Sequence, residues 1–246
     1  MIGKSTDMAS DHSANSLSID AVQLTRKLIA FDTVNPPGRE RACAEFLATL
    51  LADAKFGISL STLGDDRASV VAKRGGNRGK RSLVFTGHID VVPLGTAPWK
   101  RDPFRGDIVD GRLYGRGSSD MKSGVAAFVV AAIAASNQFG DDSGVMLIIT
   151  AGEETGCHGA AALAAEGKLG SAGALIVAEP TANVPYIGHK GALWLKATTR
   201  GITAHGSMPE RGDNAIYKAA KVIGRLKGWD FKVPRHPVLE IGRAHV

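Results

Sequence analysis

Apolar positions along this chain alternate between a helical period and short uninterrupted runs. From Ser18 to Ala30 they recur at helical spacing, at Ile19, Val22, Leu24, Leu28 and Ile29, and Glu40 to Ala54 reads as a second amphipathic helix. Strand-like segments follow at Ile58 to Leu63 and Ser69 to Lys73, then SLVFTGHIDVV from Ser82 to Val92. Phe104 to Gly115 alternates around Asp110-Gly111, a pair that favours a tight hairpin turn because both residues tolerate positive φ. The Ala/Val-rich stretch Val125 to Ser136 predicts a buried helix, and Gly156 to Glu166 predicts another. Between and after them lie two short apolar strands, VMLIITA (Val145 to Ala151) and ALIVA (Ala174 to Ala178). Strands alternating with helices predict a three-layer α/β domain.

Near Ala182 the pattern changes. Leu193 to Arg200 alternates apolar and polar, as a half-exposed strand does, and Asp213 to Lys227 places Ile216, Ala219, Ala220, Ile223 and Leu226 on one helical face. A strand followed by a helix opens a second, α+β domain. The predicted organisation is a disordered tail over residues 1–18, a first domain over 19–182, the start of a second over 183–239, and a non-native tail over 240–246. The last expectation comes from EIGRAHV, which reads as the translation of a common sequencing adapter.

Composition narrows the function classes. Hydrophobic residues make up 44% and charged residues 22%, which is ordinary for a globular protein rather than a disordered one. The net charge of +6 raises the question of nucleic acid. A binder would gather that charge in a patch with interleaved aromatics. The one dense basic run, Lys73 to Arg81, is Gly-rich and lies between two strands, so it reads as a solvated hairpin loop and no nucleic-acid partner is expected. The N-terminus lacks a signal peptide's apolar core, and the longest apolar run, Val125 to Ala135, is too short for a bilayer span. No membrane association and a cytoplasmic location are therefore expected. Two cysteines make no disulfide framework. Cys43 is expected as a buried thiol, and Cys157 as a small turn residue or a neighbour of the site.

The chemistry sits where the strands end. In open α/β sheets ligands bind beyond the carboxyl ends of strands. Here one strand delivers His88 and Asp90, the next runs into Gly152-Glu153-Glu154, and the third into Glu179-Pro180. GRGSSDMKSG, Gly115 to Gly124, brings Asp120 to the start of a helix. Alternation along a strand puts His88 and Asp90 on one face, so that Asp90 can orient the imidazole; singly, they could also just decorate a strand end. Asp120 could serve as a helix N-cap or, at such a turn, bridge two metal ions. A phosphate-binding loop is excluded, because no Gly-Lys-Ser/Thr follows. Adjacent Glu153 and Glu154 repel unless their roles differ, one ligating a metal and one free as a general base. A dense cluster of carboxylates is costly without a cation.

These residues resemble those of the dinuclear zinc deacylases and peptidases that include acetylornithine deacetylase, succinyl-diaminopimelate desuccinylase, aminoacylase and glutamate carboxypeptidase. The likeness spans Leu24 to Leu226, and GHIDVVP, WKRDPF, DGRLYGRGSSDMKSG, AGEETG, AEPT and AHGSMPERGDNAI occur in the family's order. The resemblance implies a three-layer zinc-peptidase-like catalytic domain with an inserted ferredoxin-like α+β lid and dimerisation domain, both incomplete here. It implies two Zn2+ per subunit, with cobalt or manganese as substitutes. His88, Asp120 and Glu179 would bind one ion; Asp120 would bridge to a second, also bound by Glu154. Glu153 would be the general base, and Asp90 would support His88. His205 would cross a homodimer interface to stabilise the oxyanion.

The implied reaction is hydrolysis of a small N-acyl amino acid. WKRDPF, HKG and GDNAI lean toward acetylornithine deacetylase, with the desuccinylase or a broader aminoacylase or dipeptidase as alternatives. A non-catalytic relative would be expected to lack Glu153 or several ligands, and Glu153 and every ligand expected before Val246 are present. His189-Lys190-Gly191 resembles the deacetylase-like members without an assigned role; His12, His158, His236 and His245 match nothing and are expected at the surface. The family's last metal-binding His and the residues that grip the substrate carboxylate are expected beyond Val246.

Overall fold

The computed structural model describes residues 20–229 except 77, 80, 143, 190, 192–194 and 228. The tails expected over 1–18 and 240–246, and with them His12, His236 and His245, lie outside the described residues. The chain divides after Ala182 into two compact units.

The first unit is built on a five-stranded mixed sheet. In chain order its elements are α1 (Ala21–Ile29), α2 (Arg41–Asp53), β1 (Gly57–Thr62), β2 (Ala68–Gly75), β3 (Ser82–His88), the hairpin β4 (Asp107–Val109) and β5 (Arg112–Tyr114), α3 (Lys122–Ala134), β6 (Gly144–Thr150), α4 (His158–Ala165) and β7 (Ala172–Val177). The strand order is β1-β2-β6-β3-β7; β1, β2 and β6 pair antiparallel, while β6, β3 and β7 run parallel. All of β6 is buried. Its residues alternate between two cores, as the strand period requires. Val145, Leu147 and Ile149 face Leu24 and Leu28 of α1, Leu47 of α2 and Val125 and Val129 of α3. Met146 and Ile148 pack with Leu163 of α4. Helices therefore cover both faces, and the unit has the expected three layers.

Three local expectations are corrected. The basic loop between β2 and β3 is not a hairpin, because β6 enters later in the chain and takes the place between them, where both of its apolar faces are covered. Helix α1 begins at Ala21 with Asp20 as its cap, the Asp20 side chain accepting the Val22 and Gln23 N–H groups, while Ser18 and Ile19 lie outside the described residues. The ladder of β3 stops at His88, so Asp90 lies past the strand rather than within it. Finally, β7 is not buried: Leu175, Ile176 and Val177 are 56%, 46% and 52% exposed. It is the sheet's edge, and β3 is its one strand neighbour among the described residues.

Two contacts fix the start of α3, which carries Asp120 at its approach. Lys122 is fully buried and donates from Nζ to the carbonyls of Leu28 and Phe31, tying α3 to the end of α1. Burial pushes its ammonium down to about 8. Two residues on, Gly124 lies so close to the end of β7 that a Cβ there would collide with the Ala178 carbonyl, one residue before Glu179. The Asp110-Gly111 turn has positive φ at both residues, as its hairpin demands.

In the second unit α5 (Ala215–Lys227) forms as the apolar spacing predicts, with Asn214 Oδ1 accepting the Ile216 N–H. Residues 195–200, expected as a strand, form none, and residues 193 and 194 lie outside the described set. One antiparallel bridge, Ile202 with Asp213, stands in this unit. A strand without a partner leaves its backbone groups unpaired and gains nothing from extension. Among the described residues no helix is long and apolar enough to cross a membrane.

Candidate metal centre

Because β6, β3 and β7 are parallel neighbours, their carboxyl ends open on one edge of the sheet. His88 is the last residue of β3, Glu153 and Glu154 follow β6, and Glu179 follows β7. Asp120 joins them from the turn before α3. Helix α3 has Met121 at its N-cap position and no side-chain cap, so the Asp120 carboxylate is not used in capping. It lies instead 3.2 Å from His88 Nε2. Glu179 and Glu153 approach the same nitrogen at 3.7 Å and 3.9 Å. Glu154 completes the set: donor atoms of His88, Asp120 and Glu179, and of His88, Glu153 and Glu154, form two groups whose atoms lie within 4.8 Å of one another.

The orientation of His88 decides what this cluster can hold. The ring is only 2% exposed, and its Nδ1 lies 2.9 Å from the Asp90 backbone carbonyl. A carbonyl only accepts, so the proton belongs on Nδ1 and the neutral ring turns the lone pair of Nε2 toward the carboxylates. Lone pairs then face lone pairs, an arrangement that a proton or a metal cation relieves. Among the described residues no Lys or Arg forms an ion pair with Asp120, Glu153, Glu154 or Glu179. One imidazole nitrogen with several carboxylate oxygens is a donor set that suits zinc, cobalt or manganese.

The titration behaviour reflects the same crowding. Burial would lower the His88 pKa, but the hydrogen-bonded Asp120 and Asp90 carboxylates outweigh it and push it up to about 11. For Asp120 the hydrogen bond with His88 is the main cause of a lowered pKa. Burial raises Glu154 and Glu179; His88 partly offsets this, while the Asp120 and Glu153 charges add to it.

Asp90 does more than support His88. It is fully buried, and its Oδ1 stands 3.5 Å from His88 Nδ1. Its closer bonds go elsewhere: Asn35 Nδ2 donates at 2.8 Å, and the backbone N–H groups of Glu153 and Glu154 donate at 3.0 Å and 3.1 Å. Burial works to raise its pKa, but the bonds from His88, Asn35 and the Glu153 N–H hold it at about 2. Asp90 is therefore a fixed anion that pins the acidic turn.

Several participants were not singled out from the sequence. Asn35 also donates to Thr155 Oγ1 at 3.0 Å, and fully buried Glu40 accepts the Gly152 N–H. Both flank the Pro36-Pro37-Gly38 loop, and nothing in their spacing marks them as buried. Cys43 is buried as expected, and burial pushes its thiol up to about 12. Cys157 is exposed in a turn with φ of 57°, its Sγ 3.9 Å from Glu153 Oε1. His158 and His189 are exposed. A cavity of about 220 Å³ borders Asp120 and Glu154, with Val92 and Arg116 in its wall.

His205 is carried by the second unit, where it is exposed. Its Nδ1 accepts from the Ser207 N–H at 3.2 Å and lies 2.7 Å from the Ser207 hydroxyl, which places the ring proton on Nε2.

Comparison with known proteins agrees with this architecture. The chain is 38% identical over 229 residues to the succinyl-diaminopimelate desuccinylase of Cereibacter sphaeroides strain KD131, covering 87% of this chain and 58% of that one. It is 35% identical over 225 residues to the enzyme of the same name from Wolbachia pipientis of Culex pipiens, covering 87% and 56%. The chain thus spans about half the length of the curated relatives it matches. A Staphylococcus aureus tripeptidase of known structure shares the fold, with a TM-score of 0.55 at 22% identity over 83% of this chain and 55% of that one. Residues 84–235 match the family model described as peptidase family M20/M25/M40. With its α/β sheet, the acidic ends of three parallel strands and this match over more than half its length, the chain belongs to peptidase family M20/M25/M40.

Proposed function

We propose that the complete protein is a metal-dependent amidohydrolase that splits the amide bond of an N-acyl amino acid. The carrying observation is the buried His88, whose Nε2 faces Asp120, Glu153 and Glu179 at the end of three parallel strands. In this reading His88, Asp120 and Glu179 hold one divalent cation, and Asp120 with Glu154 holds a second. When bound, such a pair lowers the pKa of a water and polarises the scissile carbonyl.

The chain's own residues supply the rest. Asp90 holds the His88 ring and, through two backbone N–H groups, fixes the turn on which Glu153 stands. Glu153 takes a proton from the attacking water as the C–O bond forms, then delivers it to the amide nitrogen as the C–N bond breaks. His205, with its proton on Nε2, is suited to donate to the developing oxyanion. The proposed working form is a cytoplasmic homodimer, with His205 supplied across the interface. The cavity beside Asp120 and Glu154 offers room for part of a substrate.

The names of the relatives shift the substrate reading. They favour the desuccinylase alternative over acetylornithine deacetylase, to which WKRDPF and HKG lean. We therefore place N-succinyl-diaminopimelate first. Comparing kcat/KM for the two substrates tests this. A preference of roughly tenfold or more for the succinylated one is expected, since a site built to pair the extra carboxylate is left with unpaired groups by an acetyl. The opposite preference would restore the acetylornithine reading.

A further inference from the structure

We propose that the buried Glu40–Arg67 pair is a positioning device for the acidic turn Gly152-Glu153-Glu154, an inference that rests on the roles proposed for Glu153 and Glu154. Arg67 grips the Glu40 carboxylate with both prongs, Nε to Oε2 at 3.0 Å and Nη2 to Oε1 at 2.8 Å. Glu40 is fully buried and the Arg67 side chain only 19% exposed. Oε1 keeps one further bond, at 3.1 Å, for the Gly152 N–H. The next two N–H groups, of Glu153 and Glu154, end on the Asp90 carboxylate. Three consecutive amides of the acidic turn are thus held by two buried carboxylates reached from different parts of the chain, one at the start of α2 and one beyond β3.

The backbone is shaped around this fork. Gly38 and Gly152 both have positive φ, +87° and +71°. A Cβ on Gly38 would stand 2.5 Å from Arg67 Nε, and one on Gly152 would stand 2.6 Å from Arg67 Nη2. The guanidinium fills the space that the two missing side chains leave, so the turn is registered by contact as well as by hydrogen bond. A brace alone would not need charge: apolar residues of similar volume commonly match a buried ion pair in stability. The carboxylate does what an apolar residue cannot, since it aims an acceptor at the Gly152 amide. Small displacements of a proton-transferring group are costly, which gives this aim a catalytic consequence.

The test compares the parent with Glu40→Gln and Arg67→Lys in the complete polypeptide. Three readouts are taken: amide hydrogen exchange at residues 152–154 before metal is added, zinc affinity by competition with a chromophoric chelator, and kcat with KM. Glu40→Gln is expected to speed exchange at these amides and to weaken zinc binding and kcat by about 10–100-fold, as loss of an outer partner does. KM is expected to stay within about twofold, because the turn acts on the transition state. Parent-like exchange, zinc affinity and kcat, with only a lower melting temperature, would make the pair a brace and overturn the proposal. If Glu40→Gln does not fold, Arg67→Lys carries the test, since it keeps the charge and loses the fork. It should move all three readouts in the same direction, and parent-like values there would be equally fatal. A parent that neither binds zinc nor hydrolyses amides would sink the functional reading instead, while the exchange comparison still decides whether the pair holds the turn.

Discussion

In the complete protein, Glu153→Ala is expected to keep its metal and to lose turnover by about 10²–10⁴-fold, the usual worth of a positioned acid–base group. The side chain is 41% exposed, so its truncation leaves no core cavity. What holds the turn is the Glu153 backbone N–H on Asp90, and that bond survives the substitution. The Glu153 carboxylate stands 3.9 Å from His88 Nε2, close enough to take a proton from a water held beside it. Distances alone also permit a group of His88, Glu153 and Glu154. Metal content measured beside kcat separates the two roles. Retained zinc with lost turnover supports the base; lost zinc would move Glu153 into the ligand set; full activity would remove it from the chemistry.

The second large effect is expected at Asp120. Asp120→Ala should weaken zinc binding by more than the roughly 100-fold upper range for outer partners, because a bridging ligand serves both ions. Turnover should fall to background with it. The fold should hardly notice. The side chain is 58% exposed, it caps no helix, and its one ion pair among the described residues is with His88. His88 is buried while Asp120 is exposed, and loss of their contact is offset by relief of the repulsion between Asp120 and the Glu154 and Glu179 carboxylates. Zinc titration together with thermal melting before metal addition checks both halves. A variant that melts like the parent and still binds two ions like the parent would end the bridging role.

The parts of this molecule that were legible in the sequence share one property: their signal is local. The apolar run of β6, the Asp110-Gly111 turn and the acids that close β6 and β7 each sit within a few residues, and the structure brings His88, Asp120, Glu153, Glu154 and Glu179 to one sheet edge. What was not legible depends on distant partners. The basic loop reads as a hairpin until β6, which comes some sixty residues later, separates β2 from β3. Strand alternation pairs His88 with Asp90, but the ladder stops between them, and the closer bonds of Asp90 go to Asn35 and to the Glu153–Glu154 amides. Glu40 and Arg67 carry no local mark, since their role comes from meeting each other and Gly152 in the folded chain. The exposure of β7 is likewise a matter of what lies beside it, and ALIVA alone predicts only an apolar strand.

The central claim is that the acids and the imidazole at this sheet edge work as a metal-dependent amidohydrolase. Its most direct test is zinc content measured together with hydrolysis of N-succinyl-diaminopimelate by the complete protein, before and after chelation. The account predicts about two zinc ions per subunit, amide hydrolysis that stops when they are removed, and recovery when zinc is restored. Hydrolysis that persists in the metal-stripped protein, or a protein that takes up no divalent metal at all, would contradict it.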